Sequence, residues 1–295
     1  VSEFKPNIII APSFQFVKFI DNYKKIDKDV KIIAYSDSPE IIKDVFNYIK
    51  VLKLPEFFKK LITSLLYKRY VNTMINYHIT FLKKCDYIMT PTKEDKLEIE
   101  RLTKINEKKI AVIPPVMISS KPKIFKRVNK IRKVLFIGAC NFWPNLEAIQ
   151  IIKEKIAPKL KDIEFIIVGK DCKPEIDGNV HILGEINDIN PIMEKADAFI
   201  APLISGKGMK TKILTYFEYK KPVIGTSLAF RGYRVKNKFN CIIEDNVDKF
   251  YLRINELNED PRLIKRIQSN ISEVLRDFSE KELKKKMNYV LNKVN

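Results

Sequence analysis

The stretch from Asp197 to Thr226, DAFIAPLISGKGMKTKILTYFEYKKPVIGT, decides the fold of this chain. It predicts a buried strand, a glycine loop, a short lysine-bearing helix and a second buried strand. A helix that begins after a glycine loop presents unpaired backbone N–H groups and a partial positive charge. Lys207, Lys210 and Lys212 add cationic side chains at the same place. The sequence therefore predicts a site for the phosphate or diphosphate of an activated small molecule.

Short apolar runs alternate with longer amphipathic runs along the rest of the chain. The apolar runs are nearly continuous in Ile and Val and often end in Gly or Pro, which is typical of parallel strands buried on both faces. The predicted strands are Asn7–Ala11, Val30–Tyr35, Asp86–Thr90, Lys109–Pro114, Lys133–Gly138, Ile163–Gly169, Val180–Leu183, Ala198–Ala201, Pro222–Gly225 and Cys241–Ile243. The predicted helices are Glu40–Leu52, Glu56–Lys84, Lys93–Lys104, Asn145–Leu160, Lys210–Tyr219 and Asp260–Asp277. This alternation indicates a doubly wound α/β architecture.

The pattern breaks at Met117–Lys130, which is polar, basic and without periodicity, and we interpret this part as an interdomain linker. Four predicted strands precede it and six follow it. Ser279 and Glu282 form a capping box that opens a last helix. The predicted segments are an N-terminal domain (residues 1–117), a linker (118–130), a C-terminal domain (131–278) and a C-terminal helix (279–295).

The composition is that of a globular protein, with 45% apolar residues in a chain of 295. No apolar run reaches the length of a bilayer span, so a transmembrane helix is not expected. No signal peptide is visible either. The first residue is Val1 rather than Met, and a missing start is therefore expected.

The net charge of +19 comes overwhelmingly from lysine. An acidic partner would account for it: a nucleic acid, an anionic lipid or a phosphorylated substrate. A solvated lysine-rich surface is the alternative. Because the charge is spread along the chain and is not concentrated in a tail, we expect no nucleic-acid partner.

The four cysteines are widely spaced and form no C-x-x-C pair, and the chain has two histidines. This argues against a zinc site and against a disulfide framework. We therefore expect buried free thiols in a reducing cytoplasm, and structural roles for both histidines. These residues are Cys85, Cys140, Cys172, Cys241, His78 and His181.

Several stretches of the second domain occur in an order and spacing that resemble a known family. KVLFIGACNFWPNLEAI (133–149) resembles its opening strand, glycine turn and helix, and IEFIIVGK (163–170) resembles its next strand. NVHILGEINDINPIMEKADAFIAPL (179–203) resembles two further strands, and GKGMKTKIL with KPVIGT (206–214, 221–226) resembles the donor loop, its helix and the strand beyond. The chain is thereby similar to the group 1 (family 4) retaining glycosyltransferases, whose GT-B fold has two Rossmann-like doubly wound domains facing a cleft.

The first domain resembles the family more weakly, through CDYIMTPTKEDKLEIERL (85–102) and KIAVIPP (109–115). The strands that should open that domain are missing from the sequence, so a truncated N-terminal domain is expected. The resemblance implies transfer of a sugar from a nucleotide diphosphate sugar to a saccharide or glycolipid acceptor, with retention at the anomeric carbon. It also implies no metal, and no cofactor besides the nucleotide sugar as co-substrate.

Two departures from the family bear on this chemistry. The family usually has a glutamate after the K-I-L of the donor helix, where it binds the donor ribose, and here that position is Thr215. A second family glutamate, eight residues earlier, is Lys207 here, so the E-x7-E motif is absent. Threonine accepts hydrogen bonds from hydroxyls less strongly than a carboxylate does. Glu218, one turn further on, could compensate in part.

For the donor, the resemblance selects residues of the second domain. Lys212, which matches the K-I-L lysine, is preferred over Lys210 as the catalytic cation that pairs with the departing diphosphate. Gly138 would let the backbone approach the ligand closely, and the nucleotide base would lie near Leu183–Ile186. The candidate nucleotide-binding residues are Gly138, Asn141, Gly184, Gly206, Lys207, Gly208 and Thr215.

Three side chains that follow Gly138 have alternative interpretations. Asn141 and Asn145 could bond sugar hydroxyls. Asn145 could instead be a helix N-cap, or lie just inside a helix that begins at Pro144. Trp143 could stack on a sugar ring or cover the core.

In the first domain, Asp37 follows a buried strand between two serines, Ser36 and Ser38. Ligands bind at the carboxyl ends of the strands in α/β folds. Asp37 could therefore orient an acceptor hydroxyl, and it is the third candidate catalytic residue. Alternatively, it is an Asx-type cap on the helix that follows.

The segment Leu54–Lys84 is basic and aromatic, with apolar residues at helical spacing. It could lie on an anionic membrane, which would suit a lipid-linked acceptor and a peripheral location on the inner membrane face. The alternative is a helix that faces the core and has a solvated basic side.

Two other functions fit parts of the sequence. A catalytically inert GT-B-like binding module is suggested by Thr215 and by the truncated first domain. A sugar-nucleotide epimerase would share the architecture, but it needs acidic and histidine residues in the cleft, where few are expected here.

Overall fold

The computed structural model divides the chain into two compact units. The first unit extends to Pro115 and resumes at Glu280, and the second comprises Val116–Ser279. The last helix therefore belongs to the first unit. The structure describes residues 5–12, 14–39, 67–115 and 126–294.

The first unit is built on a parallel sheet with the strand order β1-β2-β3-β4. One face of the sheet buries Ile32 and Ala34 with Phe81, and the other buries Ile33 with Leu283 of the last helix. Both faces are covered, which is why its strands are continuous apolar runs. The strands are β1 (Ile8–Ala11), β2 (Lys31–Tyr35), β3 (Tyr87–Thr90) and β4 (Ile110–Val112). The described helices are α1 (Val17–Ile26), α2 (Tyr67–Lys84), α3 (Lys93–Thr103) and α9 (Glu280–Val294).

The second unit contains a sheet with the order β11-β10-β9-β5-β6-β8-β7, parallel except for the edge strand β7. Its strands are β5 (Lys133–Ile137), β6 (Glu164–Val168), β7 (Glu175–Asp177), β8 (Val180–Gly184), β9 (Ala198–Ala201), β10 (Val223–Gly225) and β11 (Ile242–Ile243). Its helices are α4 (Trp143–Ile151, continued by a π-helical turn, Ile152–Ile156), α5 (Asn190–Lys195), α6 (Thr211–Glu218), α7 (Phe250–Glu259) and α8 (Pro261–Arg276).

The order of the strands in the second unit reverses beside β5. After β5 the chain adds β6 and β8 on one side, and then returns to add β9, β10 and β11 on the other. The loops that leave β5 and β9 therefore diverge at the carboxyl edge of the sheet. Such a switch point is where doubly wound folds bind their ligands.

The predicted α/β class is confirmed, and each predicted strand is present within two residues of its predicted ends. The strand β7 was not predicted, because its three residues are all exposed and form no apolar run. The short helices α1, α5 and α7 were also not predicted.

The expectation of four free cysteines is wrong for two of them. Cys140 and Cys172 form a disulfide whose Cα atoms lie 4.9 Å apart. They occupy the loops after β5 and β6, neighbouring parallel strands that end at one edge of the sheet. Cys85 and Cys241 are buried free thiols, and burial raises the pKa of each to about 12.

Some predictions fall outside the described residues: the helix Glu40–Leu52, the first part of Glu56–Lys84 and most of the linker. The described part of α2 buries Val71, Ile75 and His78, so this part of the helix faces the core. Within the described ranges, no helix is long and apolar enough to cross a bilayer.

Candidate functional site

The loop that leaves β9 turns through two glycines in the left-handed region before α6 begins. The φ angle is 92° at Gly206 and 73° at Gly208. Residues with a Cβ rarely adopt such angles, so this path of the loop requires glycine at both positions.

Lys210 holds this loop from the inside. Its buried ammonium donates to the carbonyl oxygens of Gly206, Lys207 and Gly208 at 2.8, 3.0 and 2.9 Å. A trans peptide points its C=O and the following N–H in opposite directions. The N–H groups of Lys207, Gly208 and Met209 are therefore turned away from Lys210.

The amides at the start of α6 are not used by other parts of the described structure. Among the described residues, no protein group accepts a hydrogen bond from the N–H of Gly208, Met209, Thr211 or Lys212. The Oγ of Ser205 is also buried without a partner in this part of the chain. Unpaired donors at a glycine loop and a helix start form an anion-binding site.

Two buried tyrosines fix α6 to its surroundings. The hydroxyl of Tyr233 donates to the carbonyl of Lys210 at 2.9 Å and accepts from the N–H of Leu214 at 3.1 Å. The hydroxyl of Tyr216 accepts from the N–H of Ile137, at the end of β5, at 2.8 Å. Burial raises the pKa of both hydroxyls, so they remain neutral. The start of α6 is thereby held beside the end of β5.

Lys212 lies on the first turn of α6 and points towards β5. Its ammonium donates to Oδ1 of Asn145 at 2.5 Å and lies 4.5 Å from the centre of the Phe136 ring. Burial, followed by repulsion from Lys210, lowers the pKa of Lys212 from 10.5 to about 7.

Gly138 makes room for Asn145. A Cβ on Gly138 would lie 2.6 Å from Cγ of Asn145, which is closer than side chains come. Asn145 itself lies just inside α4, and its Nδ2 donates to the carbonyl of Ala139 at 3.0 Å. The glycine after β5 is thus explained by packing within the protein.

The other predicted nucleotide-binding residues have varied surroundings. Asn141 is exposed and donates to Oδ2 of Asp171 at 2.6 Å. Gly184 ends β8 with a φ of 77°, and its carbonyl accepts from the N–H of Gly169 at 3.0 Å. Thr215 is half-buried on α6, one turn beyond Lys212.

The structure gathers most of the predicted residues at the carboxyl edge of the second unit's sheet. They are Gly138, Asn141, Gly184, Gly206, Lys207, Gly208, Lys210 and Lys212, with Thr215 on the helix that follows. Asp37 is separate from them, because it follows β2 in the first unit.

In the first unit, Asp37 lies beside a buried polar pair. Oγ of Ser36 is 2.7 Å from Nε2 of His78 and donates to the carbonyl of Asp37 at 3.0 Å. Burial, followed by the charge of Asp37, raises the pKa of Tyr35. The carboxylate thus stands at the carboxyl end of its strand, close to a tyrosine hydroxyl.

Three features of the site were missed by the sequence prediction: the inward direction of Lys210, the bond from Lys212 to Asn145, and Tyr233. Only the first had a signal in the sequence, since a lysine directly after a glycine loop can reach back to its carbonyls. Among the described residues, no three His, Cys, Asp or Glu side chains converge as a metal site would need.

Residues 131–260 match the sequence model of a family described as glycosyl transferases group 1. The group 1 glycosyltransferase domain that the sequence resembles is thus confirmed over this range. No curated protein matches the sequence.

Solved structures of low sequence identity share the fold. An S. aureus TarM variant, in complex with fondaparinux, alpha-GlcNAc-glycerol and UDP, has a TM-score of 0.70 at 15% identity, covering 97% of this chain and 55% of that one. Anabaena HepE in complex with UDP-glucose has a TM-score of 0.70 at 13% identity, covering 97% of this chain and 79% of that one. The GT-B fold is therefore confirmed, and this chain spans about half the length of TarM.

Proposed function

We propose that this protein is a glycosyltransferase that moves a sugar from a UDP-sugar to a saccharide or lipid-linked acceptor, with retention at the anomeric carbon. One observation carries the proposal: Lys210 binds the carbonyls of the glycine loop, which turns the loop amides away from it, and the amides at the start of α6, where Lys212 lies, have no protein acceptor among the described residues. UDP is chosen because the TarM and HepE structures hold UDP or UDP-glucose. A saccharide acceptor is chosen because the TarM complex also holds fondaparinux and alpha-GlcNAc-glycerol.

In this proposal the loop stabilises the leaving group. Breaking the glycosidic bond places negative charge on the departing diphosphate. The amides of Gly208 and Met209 and the ammonium of Lys212 would donate to that charge. They lower the barrier to the extent that they bind the departing diphosphate more strongly than the intact donor. Lys210 would act through the loop that it holds and through its own charge.

The remaining roles are also part of the proposal. Gly184 would lie near the base and Thr215 near the ribose. The first unit would take the acceptor, with Asp37 orienting its hydroxyl. We propose a cytoplasmic location with peripheral contact to an anionic membrane surface. The net charge of +19 supports the membrane contact, whereas the disulfide between Cys140 and Cys172 counts against a reducing compartment.

A catalytically inert binding module is the second candidate, and Thr215 favours it. The ribose would lose the carboxylate that accepts two hydroxyl hydrogen bonds in relatives with glutamate there. Such a module would bind UDP and yet release no UDP from UDP-sugars in the presence of saccharide acceptors.

Calorimetric titration with UDP, UMP, GDP and ADP tests the proposed site. We expect UDP to bind at least ~10-fold more tightly than UMP, because the second phosphate reaches the loop. Lys212→Ala should weaken UDP binding by ~10-fold or more while changing UMP binding little. Lys161→Ala removes the same charge from an exposed position before β6 and should change neither. If UDP and UMP bind with equal affinity and Lys212→Ala changes neither affinity, the proposed diphosphate site is wrong.

A further inference from the structure

Asn145 has both ends of its side-chain amide engaged. Nδ2 donates to the carbonyl of Ala139 at 3.0 Å, and Oδ1 accepts from the ammonium of Lys212 at 2.5 Å. A carbonyl can only accept and an ammonium can only donate, so these two partners determine which way the amide faces. The residue is also 6% exposed and cannot swing out to water without leaving both.

Apart from Lys212 itself, the groups that hold the Asn145 side chain belong to β5 and the loop that follows it, and not to α6. Gly138 leaves the space that the amide fills. The loop is tied to its neighbour by the N–H of Cys140, which donates to the carbonyl of Lys170 at 2.8 Å, and by the disulfide to Cys172. Asn145 therefore offers Lys212 an acceptor whose position is set independently of the helix that carries the lysine.

Asn145 leaves Lys212 able to meet a ligand. In the described part of the chain, Asn145 is the only hydrogen-bond acceptor of the Lys212 ammonium, and the Phe136 ring lies beside it. The ammonium can donate three hydrogen bonds, so this single bond does not exhaust it. A carboxylate in place of the amide would instead form an ion pair and compete with an anionic ligand.

We propose that Asn145 is a positioning residue: it holds the ammonium of Lys212 in place at the start of α6, whose unpaired amides would meet the diphosphate of the donor. This inference rests on the proposed function, in which Lys212 binds that diphosphate. The neutral amide fixes the place of the lysine and leaves its charge for the ligand.

The charges around Lys212 make the pH dependence of UDP affinity a specific test of this proposal. The groups that face it are Lys210 from the loop, the Phe136 ring from β5 and the amide of Asn145 from α4, and of these only Lys210 is charged. With the pKa of Lys212 near 7, a bound diphosphate draws a proton onto the lysine. UDP affinity should therefore fall as the pH rises through about 7.

The experiment is calorimetric titration of the full chain with UDP across about pH 6 to 9. Asn145→Ala should weaken UDP binding by ~10-fold near the low end of this range. Asn145→Asp, which is nearly isosteric, should weaken UDP binding and move the midpoint of the pH profile upwards by ~1 unit, because the carboxylate stabilises the lysine cation. Asn288→Asp adds the same charge at an exposed position of α9 and should change neither quantity.

The outcomes separate this inference from the function on which it rests. If Lys212→Ala binds UDP as the wild type does, the donor site itself is wrong. If Lys212→Ala loses UDP while both Asn145 variants keep the wild-type affinity and midpoint, Asn145 only fills space and the inference is overturned. If Asn145→Ala fails to fold, Asn145→Asp still tests the inference. An NMR titration of the Lys212 ε-methylene, with no nucleotide present, should show a pKa of Lys212 that is higher in Asn145→Asp than in the wild type.

Discussion

A buried lysine that bonds to the chain's own carbonyls can still decide how a ligand is held. Lys210 shapes the glycine loop through three carbonyl oxygens, and the ligand would meet the opposite side of the same peptides. This differs from the role of an ion-pairing residue, because its ammonium is directed to the loop.

Replacing Lys210 by methionine tests this role. The variant keeps most of the side-chain volume but removes all three hydrogen bonds, so the peptides are free to rotate. We expect UDP affinity to fall by ~10-fold or more, with a lower melting temperature. Calorimetry and thermal unfolding would measure both, with Lys161→Met as the exposed control. If Lys210→Met binds UDP with wild-type affinity, the loop keeps its path without the three hydrogen bonds of Lys210.

His78 makes a pH-dependent contribution to stability. Burial lowers its pKa from 6.5 to about 4 in the folded chain. Between these values the unfolded chain binds a proton that the folded chain does not, so the free energy of unfolding falls as the pH falls below 6.5. Chemical unfolding near pH 5 should therefore give a value about 2 kcal/mol lower than near pH 7.5 from this residue alone. In His78→Gln, the free energy of unfolding should fall less between these two pH values. If the variant shows the same pH dependence as the wild type, His78 is not the group responsible.

At the scale of elements, the disulfide joins the loops that follow two adjacent strands of the second unit. Cys140 and Cys172 are 32 residues apart, and the cross-link restricts the unfolded chain. Reduction should cost about 2–4 kcal/mol and lower the melting temperature by roughly 5–15 °C. The double variant Cys140→Ser, Cys172→Ser should melt at the lower temperature with or without reductant. If reductant does not change the melting temperature of the wild type, the disulfide between Cys140 and Cys172 is contradicted.

The elements also show which parts of the structure the sequence could predict. Strands buried on both faces are continuous apolar runs, so the two parallel sheets were visible in the residues themselves. The exposed strand β7 carries no such run, and the cross-link between Cys140 and Cys172 has no recognisable spacing.

The same distinction holds at the site. The glycine loop and its lysines were predicted from local sequence, because loop and helix are contiguous. The partner of Lys212 is 67 residues away, and Tyr233 reaches back across 23 residues to Lys210. Such pairings depend on how strands are ordered in the sheet, which a single sequence reveals only by resemblance.

At the scale of the whole molecule, the chain returns to its first unit for the last helix. Leu283 and Val290 of α9 cover Ile33, Tyr87 and Met89, which precede them in the chain by roughly 200–250 residues. The stability of the first unit thus depends on the end of the chain.

Leu283→Ala should therefore destabilise the first unit selectively. Removing a buried leucine costs about 2–5 kcal/mol, so amide exchange should accelerate in β2 and β3 and stay unchanged in β5 and β9. Hydrogen exchange with mass spectrometry measures both sets of peptides, and Lys285→Ala, exposed on the same helix, is the control. Faster exchange throughout the second unit would show that the two units unfold together.

The unpaired amides of Gly208 and Met209 have a consequence for how this protein would respond to mutational scanning. Donors that belong to the main chain survive when a side chain is cut back, so Met209→Ala would keep its N–H. Glycines at positive φ behave in the opposite way, since adding one methyl group at Gly206 or Gly208 forces a strained backbone. A scan that truncates side chains would therefore overlook the main-chain donors, whereas a scan that adds a methyl to each glycine would reveal them.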